Sequence, residues 1–201
     1  MGFSSDSNYK ILFDDGYKSV YEIGFPLMEK YGFTGLVFPV ASYLGKINKW
    51  DVTFGSFNRA NHLNLAQIKL LSDNGWEIGS HGLTHRPFTL LSDQKLKSEL
   101  AESKAILEDA ISKEIDSITP PFSRINDRVK ELILEAGYKK IYHQCGFDSD
   151  NDDVLIPRHS IYSVDTNKSI LRKLNNSKLE VIKELIIHNC STLTIAVKEI
   201  L

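Results

Sequence analysis

The chain reads as an α/β protein, and three observations say so. Short apolar runs with strand character alternate with longer stretches of helical periodicity. Turn residues, chiefly Gly, Pro and Asn, fall between them. The 201 residues are 42% hydrophobic and 25% charged, enough for one full-sized core without a linker, an internal repeat or a low-complexity tract. A single domain over residues 1–201 is expected.

The elements follow in order. "KILF" (Lys10 to Phe13) is the first strand. A helical stretch from about Lys18 to Tyr31 comes next, and Pro26 should kink it. "TGLVFPV" is the second strand, and residues 41–63 are irregular. Asn64 is placed to cap a helix with Leu65, Ile68 and Leu71 on one face and Gly75 as its stop. "WEIG" is the third strand. Ser92 starts a long helix to about Ile111 with Leu96, Leu100 and Leu107 inward. "IDSIT" is the fourth strand and ends at Pro120-Pro121. Asn126 opens a helix with the register Val129, Ile133, Ala136, which closes at Gly137, and "KKIYHQ" is the fifth strand. "GFDSDNDD" carries too many carboxylates for anything but a solvated loop. Past "LIPRHSIY" one or two helices are expected, Ser169 to Leu174 and Leu179 to about Ile187.

With 24 basic and 26 acidic residues the formal charge is −2, which gives no electrostatic basis for binding nucleic acid or an anionic membrane. No run approaches the ~18 apolar residues of a membrane span. The start "MGFSSDSNYK" lacks the basic and apolar regions of a secretory signal. Cys145 and Cys190 read as free thiols of a reducing compartment, so a cytoplasmic location is expected.

In parallel α/β architectures reactive groups gather where strands end. After the first strand stand Asp14, Asp15 and Gly16; after the third comes "SHGLTH" with His81 and His85. Two neighbouring carboxylates repel each other unless a cation intervenes. An Asx-type turn into Gly16 is the plainer reading of that pair taken by itself. Asp with two His makes a three-ligand set that leaves positions for water and substrate, a catalytic rather than a structural arrangement. The sequence HGLTH lacks the Glu of a zincin, and a helix is unfavourable there. "DSDNDD" (Asp148 to Asp153) begins like a calcium loop, but Asp153 stands where Gly is needed and His159 where a bidentate Glu belongs. An iron(II) oxygenase also uses two His and a carboxylate, though it has no need of the paired Asp14.

"LFDDGY" (Leu12 to Tyr17) together with "SHGLTH" (Ser80 to His85) resembles the first two motifs of the polysaccharide deacetylases, metal-dependent enzymes that remove N- or O-acetyl groups from carbohydrates. The similarity runs from about Lys10 to Tyr162 and takes in "GWEIGSH", "PPF" and "LIPR"; residues 163–201 lie beyond it. It implies an irregular, incomplete (β/α) barrel of about seven strands. It implies Asp14 as catalytic base, Asp15, His81 and His85 as metal ligands, and the Phe122 backbone N–H as a donor to the oxyanion. Zinc suits the N/N/O ligand set, with Co2+, Mn2+ or Ni2+ as alternatives. The general acid would be His188 in "ELIIHN"; otherwise the barrel's last element is missing, or comes from a partner chain in a homo-oligomer. Where the family commonly has an arginine before "PPF", this chain has Thr119, and Arg158 is the candidate to orient Asp14 in its place. The expected substrate is an N-acetylated sugar, in an intracellular nucleotide- or lipid-linked precursor. The alternatives are a degenerate member that only binds a sugar or a partner, and a related deformylase or cyclic amidase.

Overall fold

The computed structural model describes residues 9–48, 60–144, 153–175 and 177–186. The chain divides into two compact units, Met1–Ile141 and Tyr142–Leu201.

The first unit is built on parallel strands. β1 (Ile11–Asp15) pairs with β2 (Gly35–Pro39), and β2 pairs with β3 (Glu77–Ile78). A parallel bridge from Ser80 to Ile118 joins this ladder to β4 (Ser117–Ile118), which pairs with the start of β5 (Lys140–Gln144). Every residue of β2 is buried, as a continuous apolar strand covered on both faces must be. β3 and β4 are only two residues each, shorter than their apolar runs suggest. Beyond them residues 79–81 keep the ladder by turning their backbone alternately: Gly79 and His81 donate to Val37 and Pro39, while Ser80 bonds Ser117 and Thr119.

At Pro26 the expected disturbance takes the form of a π-helical turn. Pro26 has no N–H to close an α-helical turn on Glu22. The chain widens instead into a π-helical turn over Val20–Gly24, with Phe25 N–H bonded to Val20 O, before α1 (Phe25–Lys30). α2 (Leu65–Asp73) starts at a full capping box, in which Asn64 and Gln67 each bond the other's backbone N–H. Ile68 and Leu71 are buried, but Leu65 is 52% exposed. Steps of three residues fall short of a full turn, so Leu65 lies about 120° round the helix from Leu71. α3 (Asp93–Ile111) buries Leu96, Leu100 and Leu107, as its period predicts. Ser92 occupies its N-cap, but the hydroxyl makes no capping bond. α4 (Asp127–Glu135) is capped by Asn126, whose side chain accepts from Val129 N–H, and it buries Val129 and Ile133.

The second unit contains β6 (Leu155–Arg158), α5 (Asn167–Leu174) and helical residues 178–186. Among the described residues there are six strands. α5 begins at a second capping box, between Thr166 and Ser169. Its Lys173, 2% exposed, sends Nζ to Asp165 Oδ2 at 2.6 Å and to Ser160 O at 2.7 Å, with Glu184 Oε1 at 3.6 Å. Glu184 also takes His159 Nδ1 at 3.1 Å, and the buried Glu180 pairs with Arg172 and Lys183. Residues 145–152, which hold all but Asp153 of the predicted acidic loop, and His188 lie outside the described residues, as do both cysteines.

Candidate metal centre

Asp14 and Asp15 are the last two residues of β1, in register with Phe38 and Pro39. The strand ends because Gly16 N–H turns back onto Asp14 O at 2.7 Å, with Asp15 at φ +63° in the middle of that turn. Gly16 itself sits at φ +67°, and a Cβ there would meet Pro39 Cβ at 2.6 Å. The turn swings the Asp15 carboxylate toward the segment after β3.

His81 is almost wholly buried, and its Nδ1 lies 2.7 Å from the Thr119 carbonyl. A carbonyl only accepts, so Nδ1 carries the proton and Nε2 keeps its lone pair. That Nε2 stands 3.4 Å from Asp15 Oδ1, and His85 Nε2 stands 3.3 Å from the same oxygen. The three side chains offer ligand atoms within 4.8 Å of one another. Bonds of about 2.0–2.2 Å to one tetrahedral ion would put ligand atoms roughly 3.3–3.6 Å apart, so both separations fit. Asp15 Oδ1 is buried and takes no hydrogen bond among the described residues, a costly state for a carboxylate oxygen with no cation. The residues therefore fit a divalent ion.

The electrostatics agree. Burial alone would raise the Asp15 carboxyl, but contact with His85 and the charges of His81, His85 and His62 outweigh it and hold the group below its ordinary value. Burial pushes the His81 imidazole down, although both Asp14 and Asp15 pull it up. A neutral imidazole is the ligating form. Asp14 and Asp15, neighbours at the end of β1, both favour the charged form of the His81 imidazole electrostatically.

Phe122 follows Pro121 in a tight turn after β4 with φ +60° and ψ 18°, and Ser123 is also left-handed. The Phe122 ring lies 4.9 Å from that of His85, a contact the sequence did not suggest. Of the five non-glycine residues with positive φ among those described, Asp15, His85, Phe122 and Ser123 belong to this site. Such conformations cost about 1–3 kcal/mol each and persist where the surroundings impose them, characteristically at functional sites.

Five sequence-derived candidates, Asp14, Asp15, His81, His85 and Phe122, thus lie in the first unit, around the ends of β1, β3 and β4. Arg158 ends β6 in the second unit. Thr119, standing where an arginine was expected, is fully buried and serves the site through its carbonyl instead.

One contributor was missed from the sequence. His62, 3% exposed, donates from Nδ1 to the Asp15 carbonyl at 2.9 Å and packs its ring between those of Tyr17 and Tyr43. It holds the Asp15 backbone in its left-handed turn. It lies in an irregular stretch where no period or spacing marks it.

The family model for polysaccharide deacetylase matches residues 5–141. The chain belongs to the polysaccharide deacetylase family. Among curated relatives it is 31% identical over 109 residues to a peptidoglycan-N-acetylglucosamine deacetylase of Bacillus cereus, covering 53% of this chain and 51% of that one. It is 24% identical over 161 residues to a poly-beta-1,6-N-acetyl-D-glucosamine N-deacetylase of Staphylococcus aureus, covering 74% and 52%. The chain spans about half the length of the curated relatives it matches. The Streptococcus pyogenes deacetylase PplD, solved in complex with acetate, superposes with a TM-score of 0.69 at 19% identity, over 83% of this chain and 71% of that one. IcaB from Ammonifex degensii does so at 0.66 and 20%, over 77% and 67%. At these identities the likenesses speak for the fold, the α/β class read from the sequence. No helix among the described residues is long and apolar enough to cross a membrane.

Proposed function

We propose that this protein is a metal-dependent carbohydrate deacetylase that hydrolyses the N-acetyl group of a sugar, with O-acetyl removal as a variant of the same chemistry. The observation that carries the reading is the convergence of Asp15, His81 and His85, with Asp15 Oδ1 buried and without a hydrogen bond among the described residues. A divalent ion held by these three, zinc on the donor set, would polarise the acyl oxygen and lower the pKa of water toward neutrality.

The chain's own groups supply the rest. Asp14, beside the ligands at the end of β1, takes the proton of the attacking water. The Phe122 N–H donates to the oxygen that gains charge as the carbonyl carbon becomes tetrahedral. Thr119 O and His62 keep His81 and Asp15 oriented, as outer partners of ligands do elsewhere. The departing amine must gain a proton, and the residue we assign to that role, His188, lies outside the described residues. The names of the relatives, both of which specify N-acetylglucosamine, support that sugar as the unit attacked.

The test is acetate release by zinc-loaded protein from two substrates, a β-1,6-linked N-acetylglucosamine oligomer and a nucleotide-linked N-acetylglucosamine. Wild type should release acetate from at least one. Asp14→Asn should be about 10²–10⁴-fold slower while keeping its metal. Release from the oligomer alone would overturn the intracellular-precursor expectation. No release by metal-loaded wild type from either would favour a family member that binds sugar without turning it over, a reading prompted by Thr119 in the arginine's place.

A further inference from the structure

Between His81 and His85 the backbone makes a turn whose amides are bonded by side chains. Gly82 is at φ +78° and His85 at φ +61°, and the amides of Gly82, Leu83 and Thr84 all find side-chain rather than main-chain acceptors. Successive N–H groups of this kind form a concavity that attracts an anion. The anion here is the side chain of Glu99, from the middle of α3. Its Oε2 accepts from Leu83 N at 2.8 Å and Thr84 N at 2.9 Å, and its Oε1 accepts from the Thr84 hydroxyl. The third amide, Gly82 N–H, bonds Ser80 Oγ at 3.1 Å, and Ser80 in turn donates to Ser103 Oγ at 3.0 Å. Glu99 and Ser103 are four residues apart and share one face of α3. On the other side of the turn, the carbonyls of Gly82 and Leu83 accept from Ala41 and Ser42 N–H, each at 3.0 Å.

The turn is therefore clamped on both sides: amides to α3, carbonyls to residues 41–42. Glu99 is 7% exposed. A buried carboxylate is expensive unless several donors face it, and here three do. α3 does not need this group for packing, since Leu96, Leu100 and Leu107 are fully buried without it. A Cβ at Gly82 would meet the Phe88 ring at 2.9 Å and approach Glu99 Oε2 at 3.5 Å, so the turn follows the contour of this cradle.

We infer that Glu99 is a positioning residue: it fixes the backbone between His81 and His85 and so sets the separation of the two imidazoles. This rests on the metal-centre reading above. It predicts that the ligand pair loses its geometry when the carboxylate is removed, while the fold survives.

The experiment compares wild type, Glu99→Gln and Leu107→Ala in the full chain. Leu107→Ala empties a core position of the same helix without touching the turn. Zinc affinity is measured by competition with a chelator, and the histidine ring resonances of the metal-free proteins are recorded by NMR. Glu99→Gln should bind zinc about 10–100-fold more weakly, the usual cost of losing an outer partner of a metal site. Leu107→Ala should lose more stability but bind zinc like wild type. In the metal-free spectra the His81 and His85 rings should stay sharp in wild type and Leu107→Ala and broaden by exchange in Glu99→Gln. Unchanged zinc affinity in Glu99→Gln, or an equal loss in Leu107→Ala, overturns the inference. Absence of zinc binding by wild type removes the metal-centre reading instead, and the ring resonances then decide on Glu99 alone: equal sharpness in all three proteins overturns it.

Discussion

Two clusters of buried charge show opposite ways of keeping carboxylates out of water. In the second unit Lys173 lies between Asp165 and Glu184, and Arg172 and Lys183 attend Glu180. Every acid there has a basic side chain of the same chain beside it. In the first unit Asp15 is flanked by His81 and His85, and neither Lys nor Arg pairs with it among the described residues. Imidazoles can accept a cation as well as supply one. The first cluster is neutralised from within and has a structural logic; the second leaves a place for a cation from outside. Asp15 keeps a 23% exposed side chain where Glu180 and Glu184 keep 2% and 1%, yet it is the kind of partner that separates a brace from a binding site.

The sharpest way to break this contrast is to swap what each cluster lacks. Asp15→Asn should lower zinc affinity at least 100-fold and abolish turnover, yet change metal-free stability by no more than about 1 kcal/mol, since Asn tolerates the left-handed backbone that Asp15 adopts at φ +63°. Lys173→Met should do the reverse. It strands Asp165 and Glu184 and should cost about 3–5 kcal/mol in urea unfolding, the usual effect of removing one member of a buried pair, while zinc titration stays as in wild type. Parallel loss of metal and stability in both variants would erase the distinction.

A smaller effect concerns pH. Burial holds folded His81 below its ordinary value. Below about pH 6.5 the unfolded chain takes up a proton on this residue that the folded chain refuses. The unfolded state then binds more protons, and stability rises with pH through that range to its full value above it. Urea midpoints of the metal-free protein should climb from about pH 5.5 to about pH 7 and level off above it, and climb less steeply in His81→Gln. Equal slopes would show that His81 is not the group responsible.

Much of this was legible in the chain itself. The end of β1 and the segment after β3 announced their chemistry through paired acids and spaced histidines, because ligand sets need particular residue types. Asn64 and Asn126 marked helix starts, because capping is local chemistry. What escaped depends on contacts between residues distant in sequence. Glu99 looks like one more acid on a charged helix; its burial follows only from a turn 15–16 residues earlier folding onto it. His62 reaches Asp15 across 47 positions. The left-handed Phe122 is a tertiary outcome that no propensity announces. Pro26 was read correctly as a disturbance, and the chain accommodates it by widening one turn.

The hydrogen bond from His81 N–H to Pro39 O has one further consequence. It makes the backbone of a ligand a rung in the middle of the sheet, with β2 on one side and β4 on the other. Fluctuations at the surface release loops readily, whereas central rungs open only with the cooperative unit they belong to. An ion held by His81 would therefore have one ligand whose main chain is anchored in the sheet and does not follow the motions of the surface loops.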